Sequence, residues 1–277
     1  MNLQEAESFV REHRETWMPS AKGYQTTVIN FGHVKRLMGD ELQVEDIKSY
    51  HFARLVKDLK DEGHTNATIN RIQSALSCVL NTLFKFELVD RKVAYTKLRE
   101  PRGRTKFYTD EQLLALFVAC SKLPSDAEVV TDLVMMAAKT GARQGELLKL
   151  TWRNVFFDQK LLVFEDTKTH EDRELPILGE IDAILSRRYA ERIDDGLVFP
   201  IHKDTLLRRL KRAQKMAGIN DTELLFHSLR HTAASHLFAR GAELPVVMAV
   251  LGHKDSRTTM RYSHATKEGV EKALLTL

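Results

Sequence analysis

Apolar residues recur every three to four positions through most of the chain, the spacing of amphipathic helices. Phe9, His13 and Trp17 share one side of an opening helix over residues 1–18, and Tyr24, Val28, Phe31, Val34, Leu37 and Met38 repeat the pattern over 20–38. Asp46 is placed to cap a third helix running to Glu62 and stopped by Gly63. Thr65 is placed to cap a fourth, striped by Ile69, Ile72, Leu76, Val79, Leu80 and Leu83. Four helices joined by short loops predict a small bundle.

Residues 97–106, KLREPRGRTK, break the pattern with five cations, one Glu, a Pro and a Gly. This is a linker composition. Thr109 and Gln112 then form a capping-box pair before Leu113, Leu114, Leu116 and Phe117. A further helix over about 128–139 ends at Gly141. The period changes after GARQGELLKLTW. NVFFDQKLLVFEDTKTHEDRELPI alternates around two polar turns and predicts a three-stranded meander. Helices resume over 179–191 and 203–217. Another begins near His227 and stops at Gly241, before a turn through Pro245 into LGHK. The expected fold is mainly α: an N-terminal helical bundle (1–96), a basic linker (97–106), and a mostly helical domain with a small antiparallel three-stranded sheet (107–277).

Composition narrows the class. At 43% hydrophobic and 29% charged, the chain of 277 residues reads as a soluble globular protein. It has no stretch of 18 apolar residues and no basic start followed by an apolar run. We therefore expect neither secretion nor a membrane partner, and a cytoplasmic location. Cys78 and Cys120 fall inside helical patterns and read as core thiols in a reducing compartment. The net charge of +4 is spread almost evenly, so a nucleic-acid partner would require cations gathered on one face. The helix over 203–217 offers such a face in Arg208, Arg209, Lys211 and Arg212, opposite a stripe of Leu206, Leu207, Leu210, Ala213 and Met216 or Ala217. In the bundle, Lys22, Lys48, Asn70 and Arg71 could touch phosphates or simply face solvent. Arg102, Arg104 and Lys106 in the linker could cross a duplex along its backbone.

The densest chemistry lies between His227 and Tyr262. On a helix, His227 and Arg230 share a face. His253 follows Gly252 at an expected helix end, and Tyr262 comes nine residues later. A phenol, a guanidinium and two imidazoles, with no carboxylate cluster to hold a metal, suit chemistry on an anion, which we expect to be a DNA phosphate. His227 and His231 are spaced as an i,i+4 zinc pair, but no third ligand is evident and no metal or other cofactor is expected. His231 and His236 read as structural.

GARQGEL, HSLRH, LGH and Tyr262 together resemble, in order and spacing, the boxes of the tyrosine recombinase (phage integrase) family. The resemblance covers most of residues 105–265. It implies a catalytic set of Arg143, Lys168, His227, Arg230, His253 and Tyr262, with Glu146 orienting a basic neighbour, and likens the N-terminal bundle to the family's SAM-like core-binding domain. The chemistry fits these residues. Tyr262 can attack phosphorus if its proton is removed, since a free phenol has a pKa of about 10. Arg143 and Arg230 offer planar forks for phosphate oxygens. His227 and His253 can donate hydrogen bonds or move protons. Lys168, in a hairpin turn, would protonate the leaving 5′ oxygen, with Lys160 as the competing lysine. The resemblance further implies site-specific recombination of double-stranded DNA through a 3′-phosphotyrosine and a Holliday junction. A DNA-dependent homotetramer and accessory DNA-bending proteins are the implied partners. A type IB topoisomerase and a DNA-binding protein without catalysis are the alternatives. In the last residues, Val270, Ala273, Leu274 and Leu277 form a stripe that either packs on its own domain or docks on a neighbouring protomer.

Overall fold

The computed structural model describes residues 1–21, 23–100, 106–165, 172–260 and 262. The chain divides into two units, Met1–Gly103 and Arg104–Leu277, each with its own apolar core. Lys22, Arg102, Arg104, Lys168 and the stripe at 270–277 lie outside the described residues.

The first unit contains α1 (Leu3–His13), α2 (Tyr24–Met38), α3 (Ser49–Asp61) and α4 (Asn66–Lys85). All six stripe residues of α4 are buried. Its cap is the expected one, with Thr68 N–H donating to Thr65 Oγ1 at 3.3 Å. Two boundaries differ from the pattern. The opening helix ends at His13, and a 3-10 turn at Glu15–Trp17 swings Trp17 inward. There its ring meets Phe31 edge-on at 5.5 Å, and Nε1 donates to Cys78 Sγ at 3.2 Å. Asp46 does not cap α3; it sits in its own 3-10 turn, and His51 Nδ1 accepts the Lys48 N–H at 3.0 Å instead.

Asn70 also departs from expectation. It is only 5% exposed, donates to the Leu98 carbonyl at 2.9 Å and accepts the Leu98 N–H at 2.8 Å. Its amide pins an extended segment to α4, so it is a structural latch. Its neighbour Arg71 is exposed.

In the second unit come α5 (Asp110–Ser121), α6 (Ala127–Thr140) and α7 (Gln144–Lys149). The strands β1 (Val155–Phe156), β2 (Leu161–Phe164) and β3 (Arg173–Pro176) follow. The chain closes with α8 (Glu180–Ala190), α9 (Lys203–Met216), α10 (Phe226–Ala239), α11 (Leu244–Leu251) and α12 (Ser256–Met260). Helix α6 is the axis of this unit: Val130, Leu133, Val134, Met136 and Ala137 have no exposed surface, and α5 and α10 pack against it. The Thr109–Gln112 capping box forms with reciprocal bonds of 3.2 and 3.0 Å. The strands form the antiparallel meander β1-β2-β3, with Leu162 paired to both Val155 and Leu175. No helix among the described residues is long and apolar enough to cross a membrane.

Candidate active site

Helix α6 ends at Gly141, whose φ of +63° is a left-handed cap. A Cβ at this position would lie 2.4 Å from Leu251 Cδ2 and 3.5 Å from Ala233 Cβ, so α10 and α11 press directly on the turn. Two residues later Arg143 stands at the N-cap of α7. Its N–H donates to Glu146 Oε2 at 2.9 Å, and its guanidinium pairs with Glu146 Oε1. The carboxylate thus fixes both the backbone and the side chain of Arg143, which keeps 43% of its side-chain surface exposed.

Helix α10 presents His227 and Arg230 from adjacent turns. Arg230 is 2% exposed and donates Nη1 to the Gly141 carbonyl at 2.7 Å. Its Nη2 is buried with no hydrogen-bond partner among the described residues. Burial first, and the nearby charge of Arg143 second, bring the Arg230 pKa down to about 9, with Glu146, Arg173 and Tyr262 in the same electrostatic neighbourhood. A buried cation with an unsatisfied donor, beside a second cation, is chemically suited to an anion, since an oxyanion there would satisfy the donor and relieve the repulsion. His227 is exposed as a residue, yet desolvation and the charges of Arg230 and Arg143 hold its pKa below the ordinary imidazole range.

His253 follows Gly252, the left-handed cap of α11 with φ +66°. The ring is fixed through Nδ1 to Thr259 Oγ1 at 2.8 Å, and Thr259 has no exposed surface. Tyr262 is 7% exposed and packs with Ala234, Val247 and Leu251. Its hydroxyl is hydrogen-bonded to His231 Nδ1. The ring read from sequence as structural therefore touches the tyrosine oxygen. Tyr108 is a tyrosine of another kind: it is wholly buried, its hydroxyl accepts from Gln214 Nε2 at 2.8 Å, and burial pushes its pKa to about 12.

Arg173 is a second residue that the sequence reading missed. Though 8% exposed, it pairs with Glu146 Oε2 at 2.7 Å, donates to the Thr140 carbonyl at 3.1 Å, and reaches the Val250 carbonyl. Its guanidinium lies 4.5 Å from the ring centroid of Phe164, its partner across the β2–β3 ladder. A Cβ on Gly252 would come within 2.9 Å of Arg173 Cδ. One side chain thereby joins the sheet, the α6 turn and the start of the His253 loop. Burial pushes the Glu146 carboxyl upward, but the charge of Arg173 and the bonds from Arg143 outweigh it and carry the pKa below the usual value. A signal was present in the sequence: Arg173 shares strand parity with Leu175 and Ile177, both buried.

The cations proposed for DNA sort into two groups. Lys106 is tied to Asp221 at 2.7 Å and Glu223 at 3.1 Å, and Arg209 to Asp126 at 2.9 Å and to Ser125. Arg208, Lys211 and Arg212 stand exposed on α9. The buried stripe beneath them is narrower than expected, because Leu207 is 37% and Met216 47% exposed. Lys160, the competing lysine, pairs with Asp182 at 2.8 Å. The described residues gather potential metal ligands once, as His33, Glu62 and His64 in the first unit. Both oxygens of Glu62 are held there by Arg36 at 2.7 Å.

In this helical domain the buried Arg230 guanidinium shares an electrostatic neighbourhood with Arg143 and Tyr262, and the Tyr262 hydroxyl is bonded to His231. The chain belongs to the phage integrase family, the tyrosine recombinases, which break and rejoin DNA; the family model matches residues 106–269. It is 29% identical over 242 residues to the tyrosine recombinase XerA of Thermococcus kodakarensis, covering 82% of this chain and 81% of that one. Its fold matches the Tn1549 transposon integrase, solved with circular intermediate DNA, with a TM-score of 0.80 at 16% identity over 99% of both chains. It also matches the lambda integrase tetramer bound to a Holliday junction, with a TM-score of 0.79 at 19% identity, over 95% of this chain and 78% of that one.

Proposed function

We propose that the protein is a site-specific recombinase in which Tyr262 attacks a DNA phosphate. The Oη–P bond forms as the P–O5′ bond breaks, leaving a 3′-phosphotyrosine that keeps the energy of the cleaved bond for rejoining. Arg143 and Arg230 hold the non-bridging oxygens, His227 and His253 donate to the same phosphate, and Lys168 protonates the departing O5′. Glu146 positions Arg143. The observation that carries this reading is the buried Arg230 guanidinium, with an unsatisfied Nη2 beside a second arginine and in the electrostatic neighbourhood of Tyr262.

In this reading residues 1–96 form a core-binding domain, 97–106 a basic linker and 107–277 the catalytic domain. Four protomers exchange strands in pairs on double-stranded DNA, as the lambda integrase tetramer on a Holliday junction suggests. Accessory DNA-bending proteins would help fold the sites, and the reaction would take place on cytoplasmic DNA.

A nicked suicide substrate tests the nucleophile. The native protein should accumulate a covalent adduct, and Tyr262→Phe should bind DNA without forming one. A full-rate adduct from Tyr262→Phe would overturn the assignment. Lys168→Ala should cleave an ordinary phosphodiester slowly but a 5′-bridging phosphorothiolate well, because a thiolate leaves without a proton. Equal defects on both substrates would move the acid elsewhere.

A further inference from the structure

His231 lies one helical turn beyond His227 on α10, and the two rings meet edge-on, 4.7 Å apart at 86°. The partner of His231 Nδ1 is the Tyr262 hydroxyl, with the two rings 5.3 Å apart and tilted by 39°. The Tyr262 ring is bedded in Ala234, Val247 and Leu251, so the phenol is held by apolar packing on one side and by an imidazole nitrogen at its oxygen.

A phenol with a pKa of about 10 is almost wholly protonated near neutrality, so attack on phosphorus requires a group to take the proton. Several neighbours are unsuited to this. Arg143 and Arg230 are donors bearing charge, and Glu146 is occupied by Arg143 and Arg173. The charges of both guanidiniums act directly on His227 and disfavour its protonation.

We infer that His231 is a catalytic residue, the base that accepts the Tyr262 proton during cleavage and the acid that returns it during rejoining. This rests on Tyr262 being the nucleophile. In cleavage His231 carries its proton on Nε2, and the phenol proton passes to Nδ1 as Oη–P forms and P–O5′ breaks. In rejoining O5′ attacks phosphorus, Oη–P breaks, and Nδ1–H protonates the departing phenolate. The two histidines of the HSLRH motif then divide the work: His227 serves the phosphate and His231 the tyrosine.

The test is His231→Asn, whose side-chain oxygen can occupy the Nδ1 position and accept the phenol's hydrogen bond without being basic. DNA binding should be unchanged, and single-turnover cleavage should slow by about a hundredfold, the ordinary range for a lost general base. A ring-fluorinated tyrosine at position 262, ionised near neutral pH, should restore most of the rate, since it no longer needs a base. If the Asn chain binds DNA poorly, His231→Ala with and without the fluorinated tyrosine supplies the comparison, because the rescue reads the missing base directly. A native cleavage rate in the variant, or a defect that the fluorinated residue leaves untouched, would overturn the inference. Tyr262→Phe run in parallel separates the two claims. An adduct from that variant refutes the nucleophile, whereas an inactive Tyr262→Phe beside a fully active His231→Asn refutes the base alone.

Discussion

Arg230 donates Nη1 to the carbonyl oxygen of Gly141 at 2.7 Å, across 89 residues of sequence. Gly141 closes α6 and lies two residues before Arg143, so this bond ties the helix bearing His227 and Arg230 to the turn bearing the other arginine. The two cations are held where each disfavours the other, and the Arg230 pKa of about 9 reflects both burial and that repulsion. Glu146 offsets part of it. In the proposed function a phosphate would offset the rest.

Gly141→Ala should be among the most damaging small substitutions. The left-handed backbone resists a side chain, and the new Cβ would fall 2.4 Å from Leu251 Cδ2. Strain of this kind costs about 1–3 kcal/mol before the clash is counted. Urea denaturation should show at least that loss. Cleavage should fall further than stability, because the same turn positions Arg143.

Arg173→Met should destabilise the protein by about 3 kcal/mol, because it leaves Glu146 buried without its stronger partner. The side chains are 8% and 15% exposed, so solvent screens the pair little. Adding Glu146→Gln should cost much less than the two single losses combined. A double-mutant cycle by denaturation measures this coupling, and strict additivity would show that the pair does not act as a unit.

Stability should fall on the acid side through His227. Its folded pKa lies below the ordinary 6.5, so below pH 6.5 the unfolded chain binds more protons than the folded one. The contribution is fully present above 6.5 and is lost as pH falls through the folded value. His227→Gln should make the decline of the denaturation midpoint over about pH 5–7 shallower. An unchanged slope would place the acid sensitivity on other groups.

On α9, exposure and pairing distinguish neighbouring cations. Lys211→Ala should weaken DNA binding and lower the salt slope of affinity by about one, the signature of one lost phosphate contact. Arg209→Ala should leave that slope nearly unchanged, since Asp126 and Ser125 already engage the guanidinium. Salt titrations of half-site binding by the two variants make the comparison.

The sequence by itself determined the elements that depend on neighbours in the chain. The stripe from Ile69 to Leu83, the Thr109–Gln112 cap, the glycine stops at 141 and 252 and the alternating meander are written at spacings of two to four residues. Such spacings fix which face is apolar and where a helix ends. The box residues were legible because their order is a family pattern. Tertiary structure decided the fate of polar side chains whose partners are distant. Asn70 reads as a surface contact until Leu98 closes on it, Arg173 as a strand cation until Val250 and Glu146 surround it, and His231 as a structural imidazole until Tyr262 meets its Nδ1. The local period places such a residue on a face, but only folding brings up the opposing surface, and for a polar group the partner there decides whether burial costs or stabilises.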